Sequence, residues 1–224
     1  MLEQNISNIL KQIENGNNLG EKITVVGATK MVPVEVINQA VNLGINFVAE
    51  NKVTEFREKH DKIIGATQHF IGHLQTNQVK YLVGIVDVIQ SVDSIKLAQV
   101  VSEQAVKKQV TQKILVQINI GKEEQKGGLM PQDAIEGVKL IANLPNVKVV
   151  GLMAMLPLTD DKQLLKNLCL QMRDFFDKLK LQGFDMQHLS VGMSADYQIA
   201  IENGSNMIRL GSAIYGKRNY GGIN

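Results

Sequence analysis

The sequence lacks the features that mark secreted, membrane-spanning or nucleic-acid-binding proteins. Its 224 residues include one cysteine, Cys169, so a disulfide framework within the chain is excluded and we expect a reducing compartment. No apolar run reaches the length of a membrane span. The N-terminus also lacks the charged-then-apolar plan of a signal peptide. These absences together predict a cytoplasmic protein without a membrane partner.

Charge of one sign is also scarce. The net charge is +2, which gives no strong attraction to nucleic acid, and the basic segment GKRNYGG at 216–222 is too short to change that expectation. Hydrophobic residues make up 44% and charged residues 21% of the chain, as in ordinary globular proteins. The length suits one domain over residues 1–224, since α/β barrels are large single domains.

One rhythm runs along the chain, in which a short apolar segment precedes a turn and an amphipathic segment. Several of the apolar segments are rich in Val and Ile on both faces, which is typical of parallel strands covered by helices. Eight strands alternating with helices predict a closed (β/α)₈ TIM-type barrel of the α/β class. The first 20 residues predict an extra N-terminal helix. The eight segments are 23–29, 46–51, 69–74, 86–92, 113–120, 147–155, 188–193 and 207–216.

Helix boundaries can be read from the segments between the strands. Gly44 and Gly183 stop two amphipathic patterns, and Asp93 is a plausible N-cap for the pattern that starts at Ser94. The glycines inside strand segments, among them Gly72 and Gly151, predict close packing of the barrel wall.

Reactive side chains recur where the predicted strands end. In this fold the carboxyl ends of the strands carry the active site, so we expect these residues to converge on one rim. They are Lys30, Asn51, His73, Asn119, Met153, Met155, Ser194, Arg209, Gly211 and Ser212.

The last two strands carry a second signal. GMSADY follows strand seven and RLGSAIYG closes strand eight, and both are Gly/Ser-rich turns that enter a helix. Backbone N–H groups at such turns bind anions, and the loops after strands seven and eight are the usual phosphate site of this barrel. We therefore expect a phosphorylated ligand.

Lys30 directly follows the strand sequence VVGAT, so its side chain can point into the barrel mouth. A lysine in a partly desolvated pocket is a nucleophile toward carbonyls. With a phosphate site nearby, two hypotheses remain: a Schiff-base aldolase acting on a sugar phosphate, or a protein that binds pyridoxal 5'-phosphate. Arg209 shares a face with Gly211 and favours the second, because an arginine can donate to the pyridine nitrogen of that cofactor.

These residues resemble one family over nearly the whole chain. The sequence is similar to the pyridoxal 5'-phosphate homeostasis proteins of the YggS/PROSC type, which look like the N-terminal barrel of alanine racemase. The segments that carry the resemblance are VVGATKMVP, FVAENKVTE, HFIGHLQTNQ, IQSVDS, VQINIGKEEQKGG, GLMAM, LSVGMSADYQIAI and MIRLGSAIYG.

The resemblance implies a role for each site residue. Lys30 would carry pyridoxal 5'-phosphate as a covalent aldimine, and Arg209 would meet the pyridine nitrogen. Ser194, Gly211 and Ser212 would hold the phosphate. Asn51 and Met153 would line the surroundings of the ring. No residue is assigned to catalysis, and no metal is implied.

Rich Lys, Ile and Asn usage favours a bacterial protein. The resemblance also implies a protein of intracellular vitamin B6 homeostasis that carries or buffers the cofactor without strong catalysis. Racemisation is most easily arranged with an acid/base group on each side of the substrate. Alanine racemase takes one from a second, β-rich domain, and we expect no such domain in a chain that stops at Asn224.

The alternative is a weak racemase dependent on pyridoxal 5'-phosphate that uses Lys30 and another rim group, His73 or Tyr215. Two further points stay open: whether apo-enzymes dependent on pyridoxal phosphate receive the cofactor, and whether the protein is a monomer or a weak homodimer.

Overall fold

The computed structural model describes residues 1–216, and most of the basic segment at 216–222 lies outside the described residues. Eight parallel strands close into a barrel in the order β1 to β8, with β8 paired to β1. The sequence-based prediction of a (β/α)₈ barrel is confirmed. The strands are Thr24–Ala28, Phe47–Glu50, Thr67–Phe70, Val88–Val92, Gln112–Ile118, Val147–Ala154, His188–Ser190 and Met207–Leu210.

Helices cover the outside of the barrel, and the predicted extra N-terminal helix is present as α1. In chain order, α1 to α8 are Leu2–Gln12, Val34–Asn42, Val53–Lys59, Ile95–Lys107, Ala134–Ala142, Lys162–Leu181, Tyr197–Glu202 and Ser212–Tyr215. Two 3₁₀ helices, Thr76–Tyr81 and Pro131–Asp133, complete the connections.

The predicted helix stops are confirmed, and one predicted cap is wrong. Gly44 and Gly183 follow α2 and α6 with φ of 107° and 91°, the left-handed backbone that ends many helices at glycine. The N-cap of α4 is Ser94, whose Oγ accepts the Leu97 N–H at 3.2 Å. Asp93 lies one residue too early for that bond.

One strand also lies earlier than its apolar segment. β3 ends at Phe70, so His73 is three residues beyond the strand. The polar residues Thr67 and Gln68 begin this strand because their backbone pairs with β2, and a pattern of apolar residues cannot reveal that pairing.

The core has an outer and an inner part. The outer part is two apolar clusters in which strand residues such as Val25, Ile208 and Val116 pack against helices. The inner part is one cluster contributed by several strands around the barrel, and it includes Val26 and Met207. Inward and outward side chains therefore alternate along the strands, which determines which residues can reach a site at the mouth.

Candidate active site at the barrel mouth

Three predicted site residues lie at or just beyond the carboxyl ends of β1 and β8. Val26 and Met207 belong to the inner cluster. Lys30 lies four residues after Val26, and Arg209 and Gly211 lie two and four residues after Met207. Even steps along a strand keep a residue on the same face. Arg209 therefore faces the barrel interior from β8, whereas Lys30 and Gly211 lie just beyond the carboxyl ends of β1 and β8.

A cavity of about 570 Å³ opens at this end of the barrel. Its volume is within the range of about 300–1,000 Å³ that is usual for small-molecule and cofactor sites. The cavity is lined by Ala28, Asn51, Ile71, Met153, Met155, Met193, Ser194, Ala195, Arg209, Gly211 and Ser212. Six of the seven cofactor-binding residues predicted from the sequence are in that lining: Asn51, Met153, Ser194, Arg209, Gly211 and Ser212.

Lys30, the seventh, lies beside the cavity and is not one of its lining residues. It is half-buried in the turn that follows β1, two residues after Ala28, which does line the cavity. Val32 N–H closes this turn on Thr29 O at 2.9 Å. A flexible four-carbon side chain from this position can swing its amine toward a ligand above Ala28.

Arg209 is a buried cation held by neutral oxygens. Its NH1 donates to Ser190 O and Ser190 Oγ, both at 2.7 Å, and NH2 donates to Ala154 O at 2.9 Å. Burial lowers the pKa of Arg209 to about 10, partly offset by the charge of Asp196, so the side chain stays protonated at neutral pH. Among residues 1–216 these are its hydrogen-bond partners, which leaves two of the five guanidinium N–H groups for a ligand.

A chain of buried hydrogen bonds continues from Arg209 across the barrel. Arg209 can only donate, so Ser190 Oγ accepts a hydrogen bond from it. Ser190 Oγ in turn donates to Gln90 Oε1 at 2.7 Å. The Gln90 amide then faces His69 Nδ1 at 2.8 Å and donates to it. His69 is therefore neutral with its proton on Nε2, and burial lowers its pKa to about 3.

Two backbone N–H groups converge on Ser194 at the phosphate site expected from the sequence. Gly211 N–H and Ala213 N–H both donate to Ser194 Oγ, at 3.3 and 3.2 Å. Asp196 Oδ1 accepts the Met193 N–H at 2.6 Å and fixes the turn that presents Ser194. Donors that meet at one oxygen, beside a wall that includes Gly211, can also bind the oxygen of an anionic ligand.

Three other residues expected at the rim lie away from the cavity. The His73 side chain is 73% exposed, and its Nδ1 is 3.4 Å from Asp93 Oδ2. Tyr215 lies on the outer side of the wall, where a Cβ on Gly27 would be 2.8 Å from its Oη. Asn119 organises its own loop by donating to Glu123 O and Lys126 O at 2.8 and 2.9 Å.

Four lining residues were not identified from the sequence: Ala28, Ile71, Met193 and Ala195. Their apolar side chains carry no chemical signal of a site. Ala28 could have been found by strand alternation, because it lies two residues after Val26 on the inward face of β1.

The remaining titratable candidates are structural. Cys169 is buried in α6, and burial raises the pKa of its thiol to about 12, with a further contribution from the charge of Asp196. In the described part of the chain, no group of three or more His, Cys, Asp or Glu side chains could hold a metal ion. No helix within residues 1–216 is long and apolar enough to cross a membrane.

Comparisons with known proteins agree on one family. The model of the alanine racemase N-terminal domain matches residues 2–219. A pyridoxal phosphate homeostasis protein of Aquifex aeolicus is 37% identical over 97% of this chain and 98% of its own. One from Pasteurella multocida is 35% identical over 98% of both. The structure of PipY from Synechococcus elongatus with PLP bound has a TM-score of 0.85 at 26% identity, covering 96% of this chain and all of that one.

Proposed function

The chain belongs to the pyridoxal phosphate homeostasis proteins, whose barrel is the alanine racemase N-terminal domain, and from this membership we propose that it binds pyridoxal 5'-phosphate in the cavity at the barrel mouth. The observation that carries the proposal is that Arg209, Ser194, Gly211 and Ser212 line one cavity, whose wall also includes Ala28, two residues before Lys30. When bound, the cofactor supplies an aldehyde that forms a Schiff base with a primary amine and a phosphate that anchors it.

The residues fit such a ligand at both of its polar ends. The N–H groups of Gly211 and Ala213, with Ser194 Oγ, would hold the phosphate. Arg209 would donate to the ring nitrogen, since two of its N–H groups are unused by Ser190 and Ala154. Because Arg209 stays protonated, it leaves the ring neutral, and a neutral ring is a weaker electron sink than a pyridinium.

Lys30 is the amine that we propose for the covalent link. It lies in the turn that follows β1, two residues after Ala28 of the cavity wall, and the cavity lining itself offers no primary amine. The apolar wall of Ile71, Met153 and Met155 would cover the ring and exclude water from the bond.

We further propose that the protein carries or buffers the cofactor without strong catalysis. The described cavity lining contains no Asp, Glu, His, Cys or Tyr that could serve as a second acid or base. His73 and Tyr215, the groups on which a weak racemase would depend, lie outside that lining. Incubating the loaded protein with L-alanine in D₂O should give no exchange of the α-proton above that of free cofactor, and fast exchange would overturn this part.

The test of binding and linkage is a visible absorption spectrum. Wild-type protein mixed with pyridoxal 5'-phosphate should show the band of a Schiff base, and borohydride should fix the adduct on the peptide that contains Lys30. Lys30→Ala should lose the band, whereas Lys96→Ala, an exposed lysine at the start of α4, should keep it. A wild type that shows no Schiff-base band after unbound cofactor has been removed would refute the proposal.

A further inference from the structure

A cluster of three charged side chains lies behind the turn that carries Lys30, on the outer side of the barrel wall. Lys59 Nζ, from α3, is 2.7 Å from Glu50 Oε1 and 2.9 Å from Glu55 Oε2. The side chains of Lys59, Glu50 and Glu55 are 13%, 3% and 18% exposed. Removing charged groups from water costs free energy, so packing alone does not explain why these three groups are buried together.

Each member of the cluster also bonds the turn itself. Glu50 Oε1 accepts the Thr29 hydroxyl at 2.7 Å, and Lys59 Nζ donates to Thr29 O at 3.1 Å. Glu55 Oε2 accepts the Met31 N–H at 2.7 Å. The residues on both sides of Lys30 are therefore fixed, while the cluster leaves the Lys30 side chain itself untouched.

The turn has a conformation that its sequence does not favour. Met31 has φ of 59°, in the left-handed region, at the turn position where glycine is usual. A residue with a Cβ keeps such a backbone only when its surroundings enforce it. The bond from Met31 N–H to Glu55 provides that constraint. Burial alone would raise the pKa of Glu55, but the Met31 N–H and Lys59 lower it overall, so Glu55 is an anionic acceptor at neutral pH.

We propose that Lys59, with Glu50 and Glu55, is a positioning cluster that fixes the Lys30 turn so that the Lys30 amine enters the cavity in the geometry needed for Schiff-base formation. The proposal rests on the proposed function, because it concerns the same lysine. The cluster acts through the backbone, and its members touch neither the cavity nor a ligand in it. Loss of the cluster should therefore affect the covalent step more than binding of the ring and phosphate.

The experiment compares two variants of the full chain, each of which replaces a cation by methionine. Lys59→Met removes the centre of the cluster. Arg173→Met is the matched control, since Arg173 is also 13% exposed and also holds two carboxylates, Glu21 and Asp177. Arg173 lies near the amino ends of the strands, where it also bonds Gly204 O at 3.2 Å. Both variants lose one partly buried cation with two acidic partners.

Two ligands separate positioning from general damage. With pyridoxal 5'-phosphate, Lys59→Met should form the Schiff-base band about tenfold to a hundredfold more slowly than wild type, because misplacing a reacting group by about 1 Å costs that much. Pyridoxine 5'-phosphate lacks the aldehyde, so its dissociation constant should change less than about threefold, since only the turn is disturbed. Arg173→Met should match wild type with both ligands. Exchange of the Met31 amide hydrogen should be faster in Lys59→Met alone.

The outcomes distinguish the two proposals. If wild type forms no Schiff base, the proposed function itself fails. If wild type forms it and Lys59→Met does so at the same rate, the positioning proposal is overturned. Equal slowing in Lys59→Met and Arg173→Met, or equal weakening of both ligands in Lys59→Met, would also overturn it. Should Lys59→Met fail to fold, Glu55→Gln removes the charged acceptor of Met31 N–H and should show the same selective slowing.

Discussion

Polar side chains inside the barrel form a chain of hydrogen bonds, in which the donor or acceptor role of each side chain determines the role of the next. Arg209 can only donate, so Ser190, Gln90 and His69 each take one defined hydrogen-bonding role. The final member, His69, must accept at Nδ1 and is 1% exposed. A proton added there would place a buried charge against the amide hydrogens of Gln90. The histidine is thus neutral in the folded protein at pH values where a free histidine is charged.

This histidine should make the protein sensitive to mild acid. Unfolded His69 binds a proton below pH 6.5, whereas the folded form does so only near pH 3. The unfolded state therefore binds more protons in this window, and stability falls as pH is lowered through it. From pH 7 to pH 5 the contribution is about 2 kcal/mol.

Urea unfolding of wild type and His69→Gln at both pH values gives the free energy of unfolding. The contribution of His69 is the fall from pH 7 to pH 5 in wild type minus the fall in His69→Gln. His188→Gln is a comparison variant, since burial also lowers the pKa of His188, with a smaller effect from the charge of Lys113. Equal losses in wild type and His69→Gln would show that His69 is not the group responsible.

Single residues determine where the elements of this barrel begin and how closely they approach. Ser94 and Asp161 start α4 and α6 by accepting N–H groups of the first turn, at 3.2 and 3.0 Å. Gly151 lets β6 approach β7, because a Cβ there would overlap the carbonyl oxygen of His188. Gly72 similarly lets the segment after β3 approach Asn51, whose carbonyl oxygen occupies the space of the missing Cβ.

Ser94→Ala should destabilise the protein by about 1 kcal/mol, because the Leu97 N–H loses its acceptor at the start of α4. Ser94→Thr keeps a hydroxyl at the cap and should stay within about 0.5 kcal/mol of wild type. Chemical denaturation of both variants measures the difference. A loss in Ser94→Thr as large as that in Ser94→Ala would indicate that packing, not capping, is important at this position.

Gly72→Ala should displace Asn51 from the cavity wall as well as destabilise the barrel. Overpacking of this kind costs about 1–3 kcal/mol, and the displaced backbone should weaken binding of pyridoxal 5'-phosphate. Gly20→Ala is the control, since Gly20 has φ of 73° but a Cβ added to it would have no atom within 4 Å. Gly20→Ala should lower the free energy of unfolding by about 1 kcal/mol, because alanine disfavours a positive φ, and should leave binding of pyridoxal 5'-phosphate unchanged. Unaltered binding in Gly72→Ala would contradict the role given to this contact.

At the scale of the whole molecule, closure of the barrel brings the two ends of the sheet together. β8 pairs with β1 from Thr24↔Met207 to Gly27↔Leu210. The pairing places the backbone of Arg209 in the last strand beside Val26 of the first. The guanidinium itself bonds Ser190 of β7 and Ala154 of β6. A ligand that contacts Arg209 and Lys30 would connect parts of the chain that are far apart in sequence.

Pyridoxal 5'-phosphate should therefore stabilise the entire fold. A ligand at 100 times its dissociation constant adds about 2.7 kcal/mol, which for a chain of this length corresponds to a rise in Tm of about 5–10 °C. Differential scanning calorimetry measures the shift. Lys30→Ala should retain part of it through the phosphate and ring contacts, whereas pyridoxal without phosphate should give little in either protein. No shift in wild type would exclude tight binding.

The sequence alone determined the class of fold, because alternating strand and helix periods, repeated eight times, have few closed solutions. It also determined the chemistry available at the mouth, since the carboxyl ends of barrel strands meet there whatever the details. Six of the seven residues predicted to bind a cofactor do line one cavity. Gly44 and Gly183 correctly predicted the ends of α2 and α6, because the backbone geometry that ends a helix is local and depends on no distant partner.

Only the tertiary structure decided which residues support that chemistry. Gln90 and Ser190 are 100 residues apart, and neither has a local pattern that indicates a bond across the barrel. Lys59 resembles any other charged residue on a helix until α3 packs against β2 and brings it to Thr29. Burial and hydrogen bonding between distant segments depend on three-dimensional contact, which strand and helix periods do not encode.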